Sequence, residues 1–326
     1  MTTSYQMQRW SLSDLLASAE GPKLEKALAD YEAAVSNMEA WRDRLKPDLA
    51  EADFLAALRD FEAVQALDRR LGYFAFLWFA EDTQSPKALS FKSKIENLSA
   101  EAQNRVLFFT LWWKALDDAP AARLMEAAKT TDVTYFLEEL RHFKPHTLSE
   151  PEEKVINLKN VTGANALNTI YDMITNRFVF TLEVDGETKK LTRDQLSVYI
   201  QGPHPKLREA AYRELYRVFG ENAQVLAQFY NYLVTDWRME NVGLRKFAGP
   251  IAVRNLANNI PDAVVETLLD VCRKNARVFR RYFQLKAKWI GLPRLRRYDL
   301  YAPLLRADKE YPYPEAVEYV LDTFSG

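Results

Sequence analysis

The chain has 326 residues, of which 48% are hydrophobic and 27% charged, a balance that excludes overall disorder and allows a folded body burying roughly 75% of its unfolded surface. Forty-four basic residues against 45 acidic ones give a net charge of −1, which argues against nucleic acid as a partner. One cysteine, Cys272, excludes an intrachain disulfide. No apolar run reaches the ~20 residues of a spanning helix and residues 1–12 lack an apolar signal core, so a soluble cytoplasmic protein with no membrane partner is expected.

Leu24, Leu28, Tyr31, Val35, Met38 and Leu45 form a heptad-like stripe that predicts one long helix, ended by Pro47-Asp48. Phe54, Leu58, Phe61, Val64, Leu67 and Leu71 predict a second of similar length, antiparallel to the first because the connection is short. Ser85-Pro86 fits an N-cap and first helical position, and the next proline is Pro120, so a third helix of ~40 Å is expected. Its aromatic end, Phe108-Phe109 and Trp112-Trp113, must pack on another element. Ser149 and Glu152 have capping-box spacing, with Pro151 in the first turn, and Gly163 separates that helix from a short one reaching about Thr175.

The period then changes. Phe178, Phe180, Leu182 and Val184 alternate on one face of a strand, Asp185-Gly186 is a type I′ turn signal, and Glu187 to Leu191 returns. Helices are expected again over 192–200 and 206–219, separated by the breaker Gly202-Pro203-His204-Pro205. Residues 243–259 read as a loop. Pro261 then opens a long helix, stopped by Gly291 and Pro293, whose stripe of Leu268, Val271, Val278, Tyr282, Leu285 and Trp289 is expected to face the core. The fold class is therefore all-α, long antiparallel helices with one small β-hairpin near 178–191.

Candidate chemistry is sparse. His142 and His146 are four apart, as in a helical zinc site, but Phe143 stands where a general-base Glu would follow and Pro145 biases Lys144 to an extended conformation. They read as loop histidines, and His204, between two prolines, as a turn residue. Cys272 reads as a small, partly buried helical residue. Glu138-Glu139 and Glu152-Glu153 point apart on a helix and read as surface or helix-start residues. Phosphate-binding glycine loops and nucleophile elbows are absent.

From Val271 to Arg297 ten basic residues occur without an acidic one, while the other 34 basic residues face all 45 acidic ones. Arg273, Arg277, Arg280 and Lys288 are expected to form a solvated face beside the buried stripe; docking of an acidic protein or a peptide carboxylate is the alternative. No catalytic, cofactor-binding or metal-ligating residue is assigned.

Three segments together resemble a known family: Arg141-His142-Phe143-Lys144-Pro145-His146-Thr147-Leu148-Ser149-Glu150-Pro151-Glu152-Glu153-Lys154, Trp10-Ser11-Leu12-Ser13-Asp14-Leu15, and Tyr298-Asp299-Leu300-Tyr301-Ala302-Pro303-Leu304. Asn259-Ile260-Pro261 and Tyr313-Pro314-Glu315-Ala316-Val317-Glu318 follow the same order. The chain resembles the oligoendopeptidase F branch of the thimet-oligopeptidase-like zinc peptidases. That resemblance implies a mostly helical body around a channel, oligopeptide substrates, and a zinc held by an H-E-x-x-H helix and a later Glu. The H-E-x-x-H motif is missing here, so the resemblance implies the front half of such an enzyme, inactive and zinc-free alone, with the C-terminal catalytic half as its partner. Its organisation is expected to be an N-terminal hairpin and long helix over 1–114, the rest of the N-terminal lobe with the β-hairpin over 115–202, and the start of the peptidase domain over 203–326. Residues 244–256 depart from the family pattern. A stand-alone helical peptide-binding or scaffold protein is the alternative.

Overall fold

Two facing amphipathic helices begin the molecule, α1 (Pro22–Glu39) and α2 (Glu51–Glu81). Tyr31 Oη donates to Asp68 at 2.7 Å and Trp41 Nε1 to Asp60 at 2.7 Å, so the partner number falls as the first rises and the pair is antiparallel. Leu24, Tyr31, Val35 and Met38 are buried against it, as are Phe54, Leu58, Phe61, Val64 and Leu71 from α2. α1 stops at Glu39, short of Leu45. A 3₁₀ turn, Arg42–Arg44, follows it, flanked by buried Trp41 and Leu45, so the apolar stripe outlasts the helix. α2 is also far longer than its partner.

The computed structural model describes residues 11–304 and 311–325; Trp10, named above, lies outside the described residues. α3 (Pro86–Val106) starts where expected, the Ser85 hydroxyl accepting from Ala88 N at 3.3 Å. The single ~40 Å helix does not form, because the helix is interrupted at Leu107, whose carbonyl accepts from the Thr110 hydroxyl at 3.1 Å, and resumes as α4 (Phe108–Ala115). Beyond the interruption Phe109 packs 4.8 Å from Phe61 and Trp113 5.4 Å from Phe54, centroid to centroid, giving the aromatic end its partner. Arg105 ties α3 to α1 through Glu32 and Glu39 at 2.8 and 2.6 Å.

α5 (Asp118–Ala128), α6 (Thr134–His142), α7 (Glu150–Thr162) and α8 (Ala164–Thr175) follow. The hairpin is the one sheet among the described residues: β1 (Phe180–Val184) pairs antiparallel with β2 (Glu187–Leu191), and Phe180, Leu182 and Val184 are buried. Asp185 and Gly186 have φ of 54° and 84°, as a type I′ turn requires. α9 (Arg193–Gln201), α10 (Pro205–Glu221) and α11 (Ala223–Arg238) come next, α9 and α10 flanking the breaker cluster. Residues 243–259 are not simply a loop. A π-helical turn, Met239–Leu244, precedes α12 (Pro250–Ala257), which Pro250 opens at its first turn, where the missing N–H costs no bond.

α13 (Asp262–Trp289) and α14 (Tyr313–Ser325) complete the chain. The expected burial of the α13 stripe fails: Leu268, Val271, Tyr282 and Leu285 are exposed, with Val278 at 59% and Trp289 at 56%. Arg273, Arg277 and Arg280 are exposed as expected, but the reason given for it does not hold, since their helix is bare on its apolar side too. Cys272 is exposed rather than partly buried. No described helix is long and apolar enough to cross a membrane.

Contacts divide the chain into two compact units. One comprises Ser13–Phe178 and Gly220–Asn275, with its core around the aromatic cluster of α2 and α4. The other comprises Val179–Phe219 and the described residues from Ala276 onward, with residues 11–12, and centres on the hairpin's buried face, Leu196, Ala211 and Val218.

Candidate functional site

In the first unit, Arg141 to Lys154 links α6 to α7, and its residue types explain its path. The extended Lys144 expected from Pro145 does not form, since Lys144, Pro145 and His146 make a 3₁₀ turn. Ser149 caps α7, and Glu152 reaches back to accept from its backbone N at 2.9 Å and its hydroxyl at 2.6 Å. Arg141 donates to the carbonyls of Trp113 and Leu116 at 3.1 and 3.0 Å and to Asp118 at 2.7 Å, and Lys144 donates to Leu116 O at 2.8 Å. Two cations thus satisfy and neutralise the C-terminal end of α4, which carries the negative end of the helix dipole.

Glu153 anchors the other side of this segment. Arg245 donates to both its oxygens, at 2.7 and 2.8 Å, and Leu148 N donates at 3.0 Å. Burial pushes the Glu153 carboxyl up, but the Arg245 guanidinium and the Leu148 N–H outweigh it and hold it below the usual carboxylate range. Arg245 also bonds Glu240 at 2.8 Å, and its carbonyl accepts from His146 Nδ1 at 2.8 Å. The His146 ring lies stacked on Phe247, 3.6 Å between centroids. A proton on Nδ1 and a ring fixed by stacking make His146 a brace for the Arg245 turn.

The second unit has a corresponding anchor in Tyr298 to Leu304. Asp299 is 0% exposed and accepts from Arg208 Nη2 at 2.9 Å and from the backbone N and Nε of Arg296, both at 3.0 Å. Arg208, 2% exposed, also donates to the carbonyls of Gly202 and Pro203 at 3.0 and 2.9 Å, tying the breaker cluster to the pair. Burial raises the Asp299 pKa, and the hydrogen bonds from Arg208 and Arg296 more than reverse it, leaving the carboxyl depressed. Lys286 Nζ donates to Leu300 O at 2.6 Å, so this one lysine of the basic stretch is buried. Sequence reasoning missed both anchors. Arg208 and Asp299 are 91 residues apart, and Glu153 and Arg245 92, separations with no local signature.

The remaining candidates do not converge. His142 is the last residue of α6 rather than a loop residue, His146 is engaged as described, His204 lies in the turn before α10, and Cys272 is alone on α13. Among the described residues no three His, Cys, Asp or Glu side chains are grouped to hold a metal, and the anchoring carboxylates are consumed by guanidinium groups. This donor set does not fit a zinc centre.

A family profile described as Oligopeptidase F matches residues 112–180. The oligopeptidase PepF of Bacillus subtilis is 23% identical over 318 residues, covering 96% of this chain and 46% of that protein. The group B oligopeptidase PepB of Streptococcus agalactiae is 24% identical, covering 95% of this chain and 51% of its own length. The crystal structure of oligoendopeptidase-F from Enterococcus faecium superposes with a TM-score of 0.73 at 19% identity, covering 92% of this chain and 61% of that one, and shares its fold. The chain is a distant homologue of oligoendopeptidase F, related to the N-terminal portion of such proteins. It spans about half the length of the curated relatives it matches.

Proposed function

We propose that the chain is the front part of a cytoplasmic zinc oligoendopeptidase that hydrolyses short peptides, and that it forms one wall of the substrate channel. The observation that carries this reading is the mismatch in coverage: the B. subtilis oligopeptidase aligns with 96% of this chain using 46% of its own length. The chain holds no H-E-x-x-H, and its one identified pair of four-spaced histidines, His142 and His146, is built into a turn. On this reading the zinc and the groups that activate water belong to a catalytic half that completes the channel. Oligopeptides and that half are its partners.

The bare apolar side of α13 supports it. Val278, Tyr282, Leu285 and Trp289 form a helical stripe left exposed among the described residues, the condition expected of a surface that meets further protein. Reading the coding frame beyond Gly326 tests the proposal. Continuation into an H-E-x-x-H and a later Glu, with peptide hydrolysis by the extended product, is expected. A stop codon at that point would sink it and favour a stand-alone helical binding protein.

A further inference from the structure

A cavity of about 570 Å³ opens beside the Arg141–Lys154 segment, within the size range of small-molecule sites. Its apolar wall includes Phe108, Leu111, Trp112 and Leu148. Its charged lining is Arg42, Lys114, Lys144 and Glu150, three cations against one anion. Arg42 is already held by Glu150, at 2.8 and 3.2 Å, and lies 4.3 Å over the Phe108 ring. Lys144 is spent on the carbonyl of Leu116. Lys114 differs. Half-buried at the end of α4, it makes no hydrogen bond or ion pair among the described residues. Loss of hydration pushes its ammonium pKa down, the unbonded charge of Glu153 offsets part of that, and Arg245 adds to the lowering. A lysine kept partly out of water without a bonded counter-ion, at the edge of an aromatic cavity, can take an anionic partner.

We propose that this cavity binds a small amphipathic carboxylate, its apolar body against Phe108, Leu111 and Trp112 and its carboxylate accepting from the Lys114 ammonium. A phosphate fits less well, because Arg42 is paired with Glu150, the Lys144 ammonium is turned to the Leu116 carbonyl, and most of the wall is apolar. Two sources carry the shared chemistry: a free arylalkyl carboxylic acid, or the C-terminal residue of a peptide ending in a large apolar side chain. The proposal is independent of the peptidase reading, since every residue it uses lies in one unit of this chain.

Titration calorimetry on the full chain tests it with 3-phenylpropionate, its alcohol 3-phenylpropanol, a tripeptide ending in Phe, and that tripeptide's C-terminal amide. Binding of at least one carboxylate is expected, with the alcohol and the amide at least about tenfold weaker. Binding by the peptide alone would assign the site to a chain terminus; binding by the free acid alone, to a small-molecule ligand. Lys114→Met should weaken the carboxylate by about tenfold or more while Lys114→Arg retains it. Ala115→Trp, on an exposed position of the cavity rim, should block the site, with circular dichroism and thermal melting confirming that each variant is folded. Carboxylate affinity unchanged in folded Lys114→Met, equal affinity for the alcohol, or no binding of either carboxylate to the parent chain would overturn the proposal.

Discussion

Asp299 pairs with the buried guanidinium of Arg208, which has no other carboxylate partner among the described residues, and Glu153 shares the half-buried Arg245 with Glu240. Asp299→Ala strands Arg208, and removing one partner of such a pair costs about 3–5 kcal/mol, so the urea midpoint of that variant should fall well below the parent's. Asp299→Asn, which keeps an oxygen to accept from Arg208, should lose less. The depressed carboxyls also set a pH dependence. Hydrogen bonding from Arg42, set against burial, brings Glu150 to about 2, and Glu153 and Asp299 are lowered from 4.5 and 3.8. A carboxyl whose folded pKa is depressed contributes fully above its unfolded value and loses that contribution as pH falls through the folded one. Stability measured by denaturant titration should therefore hold above pH 4.5 and decline steadily below it, and Glu153→Gln should flatten part of the decline; a profile indifferent to that substitution would refute the assignment. At this scale the sequence exposed little. Tyr298-Asp299 and Glu152-Glu153 stood out as parts of family segments, but ion pairs more than 90 residues apart are made by tertiary folding.

The elements were far more legible, because helix and strand periods are local. Ser85, Ser149 and the Asp185-Gly186 turn act as their residue types require, each through hydrogen bonds or dihedrals spanning a few residues. Lengths were less legible. The interruption at Leu107 and the early end of α1 at Glu39 depend on where side chains find partners, such as Trp41 reaching Asp60. α12 was missed because Gly249-Pro250 signals a turn and a helix start equally well. The stripe of α13 was read correctly as amphipathic and wrongly as buried, since periodicity reports what a helix can cover and not whether a cover exists. Val278→Asp should accordingly change the stability of this chain by no more than about 0.5 kcal/mol, the range for exposed positions. A loss of several times that, by thermal or urea denaturation, would mean the stripe is packed.

Across the whole molecule, residues from separated stretches share a unit, as when 179–219 joins 276 onward, and no linker composition announces such interleaving. Apolar surface left bare on α13 and on α14, where Phe324 is 88% exposed, accords with a chain that resembles about half of a larger protein. The central proposal is that this chain is the front part of a peptidase whose catalytic groups lie in its other part. Zinc hydrolysis needs about three protein ligands and an open position for water, a set the described residues do not assemble. The most direct measurement is cleavage of a quenched-fluorescent oligopeptide by the purified 326-residue chain, with bound metal determined after dialysis. No cleavage and far less than one zinc per chain are predicted; chelator-sensitive hydrolysis with zinc retained at one per chain would contradict the account, and His142 and His146 would be the first pair to replace.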